Sequence, residues 1–160
     1  MKPKEAQRLI RLKANLEKDL KGLSQLQKEK DELGIEGTHP RILGSILHDF
    51  YTGIERIFRK IAEEFDGGVP NSEQWHKELL GNMTLELEGI RPAVITEELR
   101  NELEEYLGFR HVFRNIYGFQ LELERLKRLL QSFDEVFYKF KNSLAKFIGF
   151  LKKLADEIGG

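Results

Sequence analysis

The sequence predicts an all-α protein, an up-and-down bundle of four long helices and one short helix. Three observations favour this fold class. Leucine, isoleucine and phenylalanine recur every three or four residues over long stretches, Gly and Pro cluster between these stretches, and no stretch alternates apolar and polar residues as a strand does. The chain has 160 residues, which is the length of one ordinary domain, so we expect residues 1–160 to form a single domain.

The first helix is predicted over residues 3–33, an amphipathic N-terminal segment in which leucines keep a heptad-like spacing. Asp19 and Lys30 interrupt this leucine stripe. Pro3 stands where a helix start tolerates proline. We expect the stripe to pack on the last helix of the bundle or on a partner subunit.

The second helix is predicted over residues 41–65, because isoleucines and phenylalanines fall on one helical face there and glycines and a proline follow. Asn71 or Ser72 is expected to cap a short helix that ends at Leu80. Residues 81–95 contain further Gly and Pro and are predicted to be the longest irregular segment, which lies over a functional surface or simply crosses the bundle.

The last two helices are both long. Thr96 is expected to begin the first of them, which runs to about Tyr117 with a kink at Gly108. The final helix, over residues 121–158, has the strongest apolar period in the chain. Residues 40–155 should therefore form the core bundle.

Composition excludes several classes of function. The chain has no cysteine, which excludes zinc ribbons, iron–sulfur clusters and thiol nucleophiles. Its 26 basic and 27 acidic residues give a formal net charge of -1, so any contact with nucleic acid must come from a local basic patch. No apolar run is long enough to span a membrane and the N-terminus does not read as a signal peptide, so we expect a cytoplasmic protein with no membrane segment.

The densest polar cluster lies near the end of the predicted helix that Thr96 begins, in the run FRHVFRNIYG. At about 100° per residue, one side of the helix carries five polar residues and the other side is apolar. The five are Arg110, His111, Arg114, Asn115 and Tyr117. Two guanidinium groups bind phosphate well, and a histidine can move a proton near neutral pH. Such a face suits a phosphodiester, whereas the simpler alternative is an ordinary solvated helix face.

This run resembles the signature of the HEPN superfamily, and most closely that of the HepT-like ribonuclease toxins of HEPN/nucleotidyltransferase toxin–antitoxin pairs. In that pattern an Arg is followed, after four to six residues, by a His, one further residue and a Tyr. Arg110 and Tyr117 match the pattern, and Asn115 stands where the pattern has His. Residues 47–56 and 75–80 also resemble a HepT-like subgroup.

The resemblance implies a homodimer in which the two motif helices meet across the two-fold axis. It implies metal-independent cleavage of RNA, with the ribose 2'-hydroxyl as the nucleophile. In that scheme Arg110 and Arg114 hold the scissile phosphate and stabilise its developing charge. The implied partner is a nucleotidyltransferase antitoxin that adds AMP to the motif tyrosine, here Tyr117. We expect no cofactor.

The asparagine at the histidine position leaves the activity open. Asn115 cannot act as a general acid or base at neutral pH, so cleavage would depend on His111, one helical turn earlier. The alternative is a chain that keeps the binding face without cleaving RNA and serves as the nucleotide-binding companion of a nucleotidyltransferase. A third possibility is a purely structural helical bundle.

Two further groups of polar residues are weaker candidates. Glu73 and His76 have the i, i+3 spacing of a di-iron ligand pair, but no second Glu-x-x-His occurs in the chain, so we expect no metal site. Arg56, Arg59 and Lys60 form a small basic patch that is expected to complement a helix dipole or to extend an RNA surface.

Overall fold

The structure, a computed structural model, describes residues 3–115 and 123–160, with side chains for all of these except residues 112–115. The described part of the chain contains five α-helices and no β-strand. They are α1 (Lys4–Glu32), α2 (Pro40–Phe65), α3 (Trp75–Asn82), α4 (Glu97–Asn115) and α5 (Leu123–Gly159). The predicted all-α bundle is confirmed. None of the described helices is both long and apolar enough to cross a bilayer.

The N-terminal helix α1 packs along α2 and α5. Its leucine stripe is buried in the core of the bundle, at Leu9, Leu12, Leu16 and Leu23. The two polar residues that interrupt the stripe form ion pairs between helices. Asp19 Oδ2 lies 2.6 Å from Lys60 Nζ, and Lys30 Nζ lies 3.0 Å from Asp134 Oδ1. Of the two expected positions for this helix, the structure shows the one against the last helix.

The core lies between α2 and α5 and is rich in phenylalanine. Phe50 of α2 is fully buried, with its ring centroid 4.1 Å from that of Phe133 and 5.9 Å from that of Phe137, both on α5. Tyr106 of α4 contacts the same ring edge-on at 5.3 Å. These rings join three helices, and edge-to-face pairs of this kind add to the stabilisation that burial already provides.

Capping side chains fix where the helices start. Thr96 Oγ1 accepts a hydrogen bond from the backbone N–H of Leu99 at 3.1 Å, as predicted for the start of α4. Ser72 Oγ accepts from the N–H of Gln74 in a turn, and α3 begins only after that turn, at Trp75. The short helix therefore starts later than predicted and ends at Asn82 rather than at Leu80. α4 continues as helix through Gly108.

The irregular segment between α3 and α4 is anchored by Arg91, whose side chain is fully buried. Its guanidinium donates to both carboxylate oxygens of Asp66, which caps α2, at 2.7 and 2.8 Å. It also donates to the backbone carbonyls of Leu85, Pro92 and Asn82. One side chain thus holds this segment against the C-terminal ends of α2 and α3.

Candidate active site

A groove of about 410 Å³ lies between α3 and α4. We call it the α3/α4 groove. It contains two histidines, one from each helix: His76 on the α3 side and His111 on the α4 side. The other lining residues are Glu73, Gln74, Lys77, Glu104, Leu107 and Gly108. Because His111 of the polar run lines this groove, it is the place where we look for the chemistry predicted from that run.

Arg110 does not lie on an open polar face as the helical projection predicted, but is buried. Its Nη2 donates to Glu55 Oε2 at 3.1 Å, and its Nη1 donates to Glu55 Oε1 and to Thr52 Oγ1, both at 3.3 Å. The guanidinium carbon lies 4.9 Å from the centre of the Tyr51 ring. Both nitrogens at the tip of the guanidinium are therefore engaged inside the protein.

The position of Arg110 follows from the spacing of the buried residues on α4. Leu99, Leu103, Tyr106 and Arg110 succeed each other at intervals of four, three and four residues, so all four face the core. Glu55 likewise lies on the buried stripe of α2. A charge at an apolar position on each of two helices was the signal in the sequence that could have revealed this pair. The projection of a single helix missed it, because the partner is on another helix.

His76 is the second residue that the sequence analysis did not assign to this site. Its Nδ1 lies 2.7 Å from Glu55 Oε2 and 3.0 Å from Arg110 Nη2. Its ring stacks on that of Trp75, with centroids 3.6 Å apart and planes inclined by 29°. About a third of the side chain is exposed. The His76 ring is therefore held on one edge by a buried ion pair and on one face by an aromatic ring.

Burial also acts on the ring that packs against Arg110. It raises the pKa of Tyr51 far above the usual value. The negative charge of Glu55 acts in the same direction, and the positive charge of Arg110 opposes it. Among the described residues, no partner lies within hydrogen-bond distance of the Tyr51 hydroxyl. Tyr51 is therefore neutral at physiological pH and serves as a packing surface for the guanidinium.

His111 follows Arg110 directly on α4, and its side chain is exposed. It lies on the groove wall opposite His76. Arg114 and Asn115 lie within α4, but their side chains are outside the described part of the structure, and Tyr117 is outside the described residues altogether. Of the five predicted site residues, the structure thus places two side chains: one buried behind His76 and one in the groove.

The charges around the groove are mixed. Glu73 and Glu104 bring two carboxylates to its lining and Lys77 brings one ammonium group. Glu104 lies 3.3 Å from Arg100 on the same helix, which balances part of its charge. Among residues 3–115 and 123–160, no three His, Asp or Glu side chains are grouped so that they could hold a metal ion.

A smaller groove along α2 contains the basic patch. Arg56, Arg59 and Lys60 line it together with Glu55 and Glu63. Lys60 is paired with Asp19 of α1, and the Arg59 guanidinium lies 5.4 Å from the centre of the Trp75 ring. Two of the three basic side chains therefore connect α2 to neighbouring helices.

Comparison with known proteins agrees with this architecture. No curated protein and no solved structure is significantly similar to the chain. The family model described as HepT-like protein matches residues 42–151, which include most of α2, all of α3 and α4, and most of α5, and therefore both walls of the groove. Because the match covers more than half of the sequence, the chain belongs to the HepT-like family of the HEPN superfamily.

Proposed function

We propose that this protein is the toxin of a toxin–antitoxin pair, a metal-independent endoribonuclease that acts in the cytoplasm. The observation that carries the proposal is that two histidines, His76 and His111, line the α3/α4 groove, the second of them within the run that resembles the HEPN signature. Membership of the HepT-like family supports the same class of activity.

The reaction needs only groups that move protons and groups that stabilise charge. A base removes the proton from a ribose 2'-hydroxyl, and the 2'-oxygen attacks the adjacent phosphorus. The bond from phosphorus to the 5'-oxygen breaks as an acid protonates that oxygen. The products are a 2',3'-cyclic phosphate and a 5'-hydroxyl. No metal ion or oxidant enters this balance, and histidine is suited to both proton transfers near neutral pH.

His111, which neighbours Arg110 in the same run, is proposed to transfer a proton, because its side chain is exposed in the groove. Arg114 is proposed to bind the scissile phosphate. Arg110 contributes its positive charge from behind His76, while its guanidinium stays paired with Glu55. The substrate is RNA, and the active assembly is a homodimer whose two motif helices face each other.

The partner of this toxin is proposed to be a nucleotidyltransferase antitoxin that adds AMP to Tyr117. The matching tyrosine position and the family carry this part of the proposal. Incubation of the two purified proteins with ATP should add one AMP mass to the wild type and none to Tyr117→Phe. An unmodified wild type would contradict this assignment.

A second candidate is a non-catalytic module that binds nucleotide and accompanies a nucleotidyltransferase. Two observations favour it: Asn115 stands at the histidine position of the motif, and the Arg110 guanidinium is engaged by Glu55 rather than open to a phosphate. Such a module would bind the transferase or a nucleotide but leave RNA intact.

Cleavage of RNA in the presence of EDTA separates the two candidates. The purified wild type should cut RNA and leave 2',3'-cyclic phosphate ends. His111→Ala should abolish cutting while the circular dichroism spectrum stays that of a folded helical protein, because the side chain is exposed. Intact RNA with the wild type, combined with binding to the transferase, would favour the second candidate.

A further inference from the structure

The proposed cleavage requires two proton transfers, and the run FRHVFRNIYG supplies one histidine for them, His111. The residue at the motif's histidine position is Asn115, which does not titrate near neutral pH. A second group must therefore come from outside the motif or His111 must perform both transfers in turn.

The other histidine of the groove, His76, has the surroundings of an oriented base. Glu55 holds its Nδ1 at 2.7 Å, and the side chain of Glu55 is itself more than nine-tenths buried. The Trp75 ring covers one face of the imidazole. A side chain fixed on an edge and a face loses little further freedom when a substrate binds, which favours proton transfer in a defined direction.

The hydrogen bonding of Nδ1 determines which ring nitrogen can accept a proton. Nδ1 lies 2.7 Å from Glu55 Oε2, which only accepts, and 3.0 Å from Arg110 Nη2, which only donates, so Nδ1 can bond to one of the two groups. The shorter contact is the one to the carboxylate, and Arg110 Nη2 already donates to that carboxylate at 3.1 Å, which assigns the proton to Nδ1. The neutral ring then has its free electron pair on Nε2, at the opposite edge. An imidazole whose Nδ1–H donates to a carboxylate is the arrangement that orients histidine bases in hydrolases.

We propose that His76 is the general base of the reaction and His111 the general acid, with Glu55 as the residue that positions His76. This inference rests on the proposed ribonuclease function. Nε2 of His76 takes the proton of the 2'-hydroxyl as the 2'-oxygen attacks phosphorus, and protonated His111 gives its proton to the departing 5'-oxygen. Exchange with water then returns both histidines to their starting states.

Two substitutions separate this role from a structural one, in which His76 only satisfies the buried carboxylate. His76→Asn can keep an N–H near Glu55 but has no nitrogen at the Nε2 position, and His76→Gln places an amide near that position. Neither side chain titrates near neutral pH. Both variants should lose about 100- to 10,000-fold in cleavage rate, and His76→Asn should retain the thermal midpoint of the wild type.

His39→Asn is the matched control. His39 caps α2 by accepting a hydrogen bond from the N–H of Arg41, a role that asparagine also performs, and it lies about 24 Å along α2 from Glu55. This variant should cut RNA at the wild-type rate.

An RNA that carries sulfur in place of the bridging 5'-oxygen assigns the two roles. A thiolate leaves without being protonated, so this substrate restores cleavage to a variant that lacks the acid but not to one that lacks the base. We expect it to rescue His111→Ala and to leave His76→Asn slow.

The outcomes distinguish this inference from the function on which it depends. Wild-type protein that leaves RNA intact overturns the proposed ribonuclease and the inference with it. Wild-type protein that cuts RNA, together with a His76→Asn variant that cuts equally fast, overturns the inference alone. Rescue of His76→Asn by the sulfur substrate also overturns the assignment of His76 as the base.

Discussion

Arg110 and Glu55 lie 55 positions apart in the sequence and form an ion pair at 3.1 Å inside the protein, with less than a tenth of either side chain exposed. This pair joins α4 to α2 and holds His76 of α3 at the same time. The two walls of the α3/α4 groove are therefore connected through one buried cluster of charged side chains. The stability of this cluster and the geometry of the groove depend on each other.

Removing one member of this pair should destabilise the protein more than removing both. Glu55→Leu or Arg110→Met alone leaves a buried charge without its partner and should lower the free energy of unfolding by about 3–5 kcal/mol. The double variant replaces the pair with apolar groups and should lose much less than the sum of the two single losses. Urea denaturation of the four proteins measures the coupling.

The exposed pair of Lys13 and Glu17 on α1 is the reference for this measurement. Its coupling should be about 0.3–0.5 kcal/mol, since both partners are hydrated. If the double variant at Glu55 and Arg110 lost as much free energy of unfolding as the two single variants together, the two charges would not stabilise each other, which would contradict the observed ion pair.

Arg91→Lys should loosen the segment between α3 and α4. Lysine keeps the charge but cannot reproduce the two-pronged contact with Asp66 together with the three carbonyl contacts. We expect the free energy of unfolding to fall by at least about 2 kcal/mol. Arg8→Lys, at an exposed pair with Glu64, should cost no more than about 0.5 kcal/mol. Equal losses in the two variants would contradict the anchoring role of Arg91.

Removing the hydroxyl groups of two buried tyrosines should change the free energy of unfolding by different amounts. Tyr106 donates to the backbone carbonyl of Leu129 at 2.8 Å, so Tyr106→Phe should cost about 1 kcal/mol. The Tyr51 hydroxyl has no hydrogen-bond partner among the described residues, so Tyr51→Phe should be neutral or stabilising. Thermal and urea unfolding measure both, and a larger loss for Tyr51→Phe than for Tyr106→Phe would contradict the two environments.

The same two tyrosines predict a loss of stability at alkaline pH. Burial raises the pKa of each phenol in the folded protein above the value near 10 that it has when unfolded. Between these values the unfolded chain releases protons that the folded chain keeps, so the free energy of unfolding falls as the pH rises above about 10. Below that pH the tyrosines make no pH-dependent contribution.

Urea unfolding at about pH 8 and about pH 11 tests this dependence. From the lower to the higher pH, the variant with both tyrosines changed to phenylalanine should lose less free energy of unfolding than the wild type loses. The raised pKa of Lys139, caused first by its hydrogen bond to Glu102 and then by that to Glu98, acts in the same direction in both proteins and cancels in the comparison. An equal alkaline loss in the two proteins would exclude the tyrosines as its source.

The helices were predictable from sequence because their signals are local. The apolar period of α2 and α5 and the cap at Thr96 each depend on residues within a few positions of one another. The start of α3 was placed too early, because Ser72 bonds to Gln74 within a turn that precedes the helix. Competition between a cap and a turn made by the same hydroxyl is not visible in the residue pattern.

The candidate site was less predictable than the helices, because part of it depends on contacts between residues that are far apart in the sequence. His111 was singled out because the run that contains it carries its own pattern, and its role stays a prediction. The pairing of Arg110 with Glu55, and the place of His76 beside them, depend on how three helices pack. A projection of one helix gives the direction of a side chain but not what lies in that direction, so Arg110 was expected on an open polar face that binds phosphate. The side chains of Arg114 and Asn115, and all of Tyr117, stay predictions.

Helix α1 lies entirely before the region that matches the family, yet its leucines fill the seam between α2 and α5. Helix α1 therefore covers the apolar surface that α2 and α5 would otherwise expose on that side of the molecule. A second copy that approaches this side meets the charged outer surface of α1, which includes Arg11, Lys18 and Lys21, and not an apolar groove between α2 and α5. Any self-association through apolar contacts is therefore expected to use a surface other than the one that α1 covers.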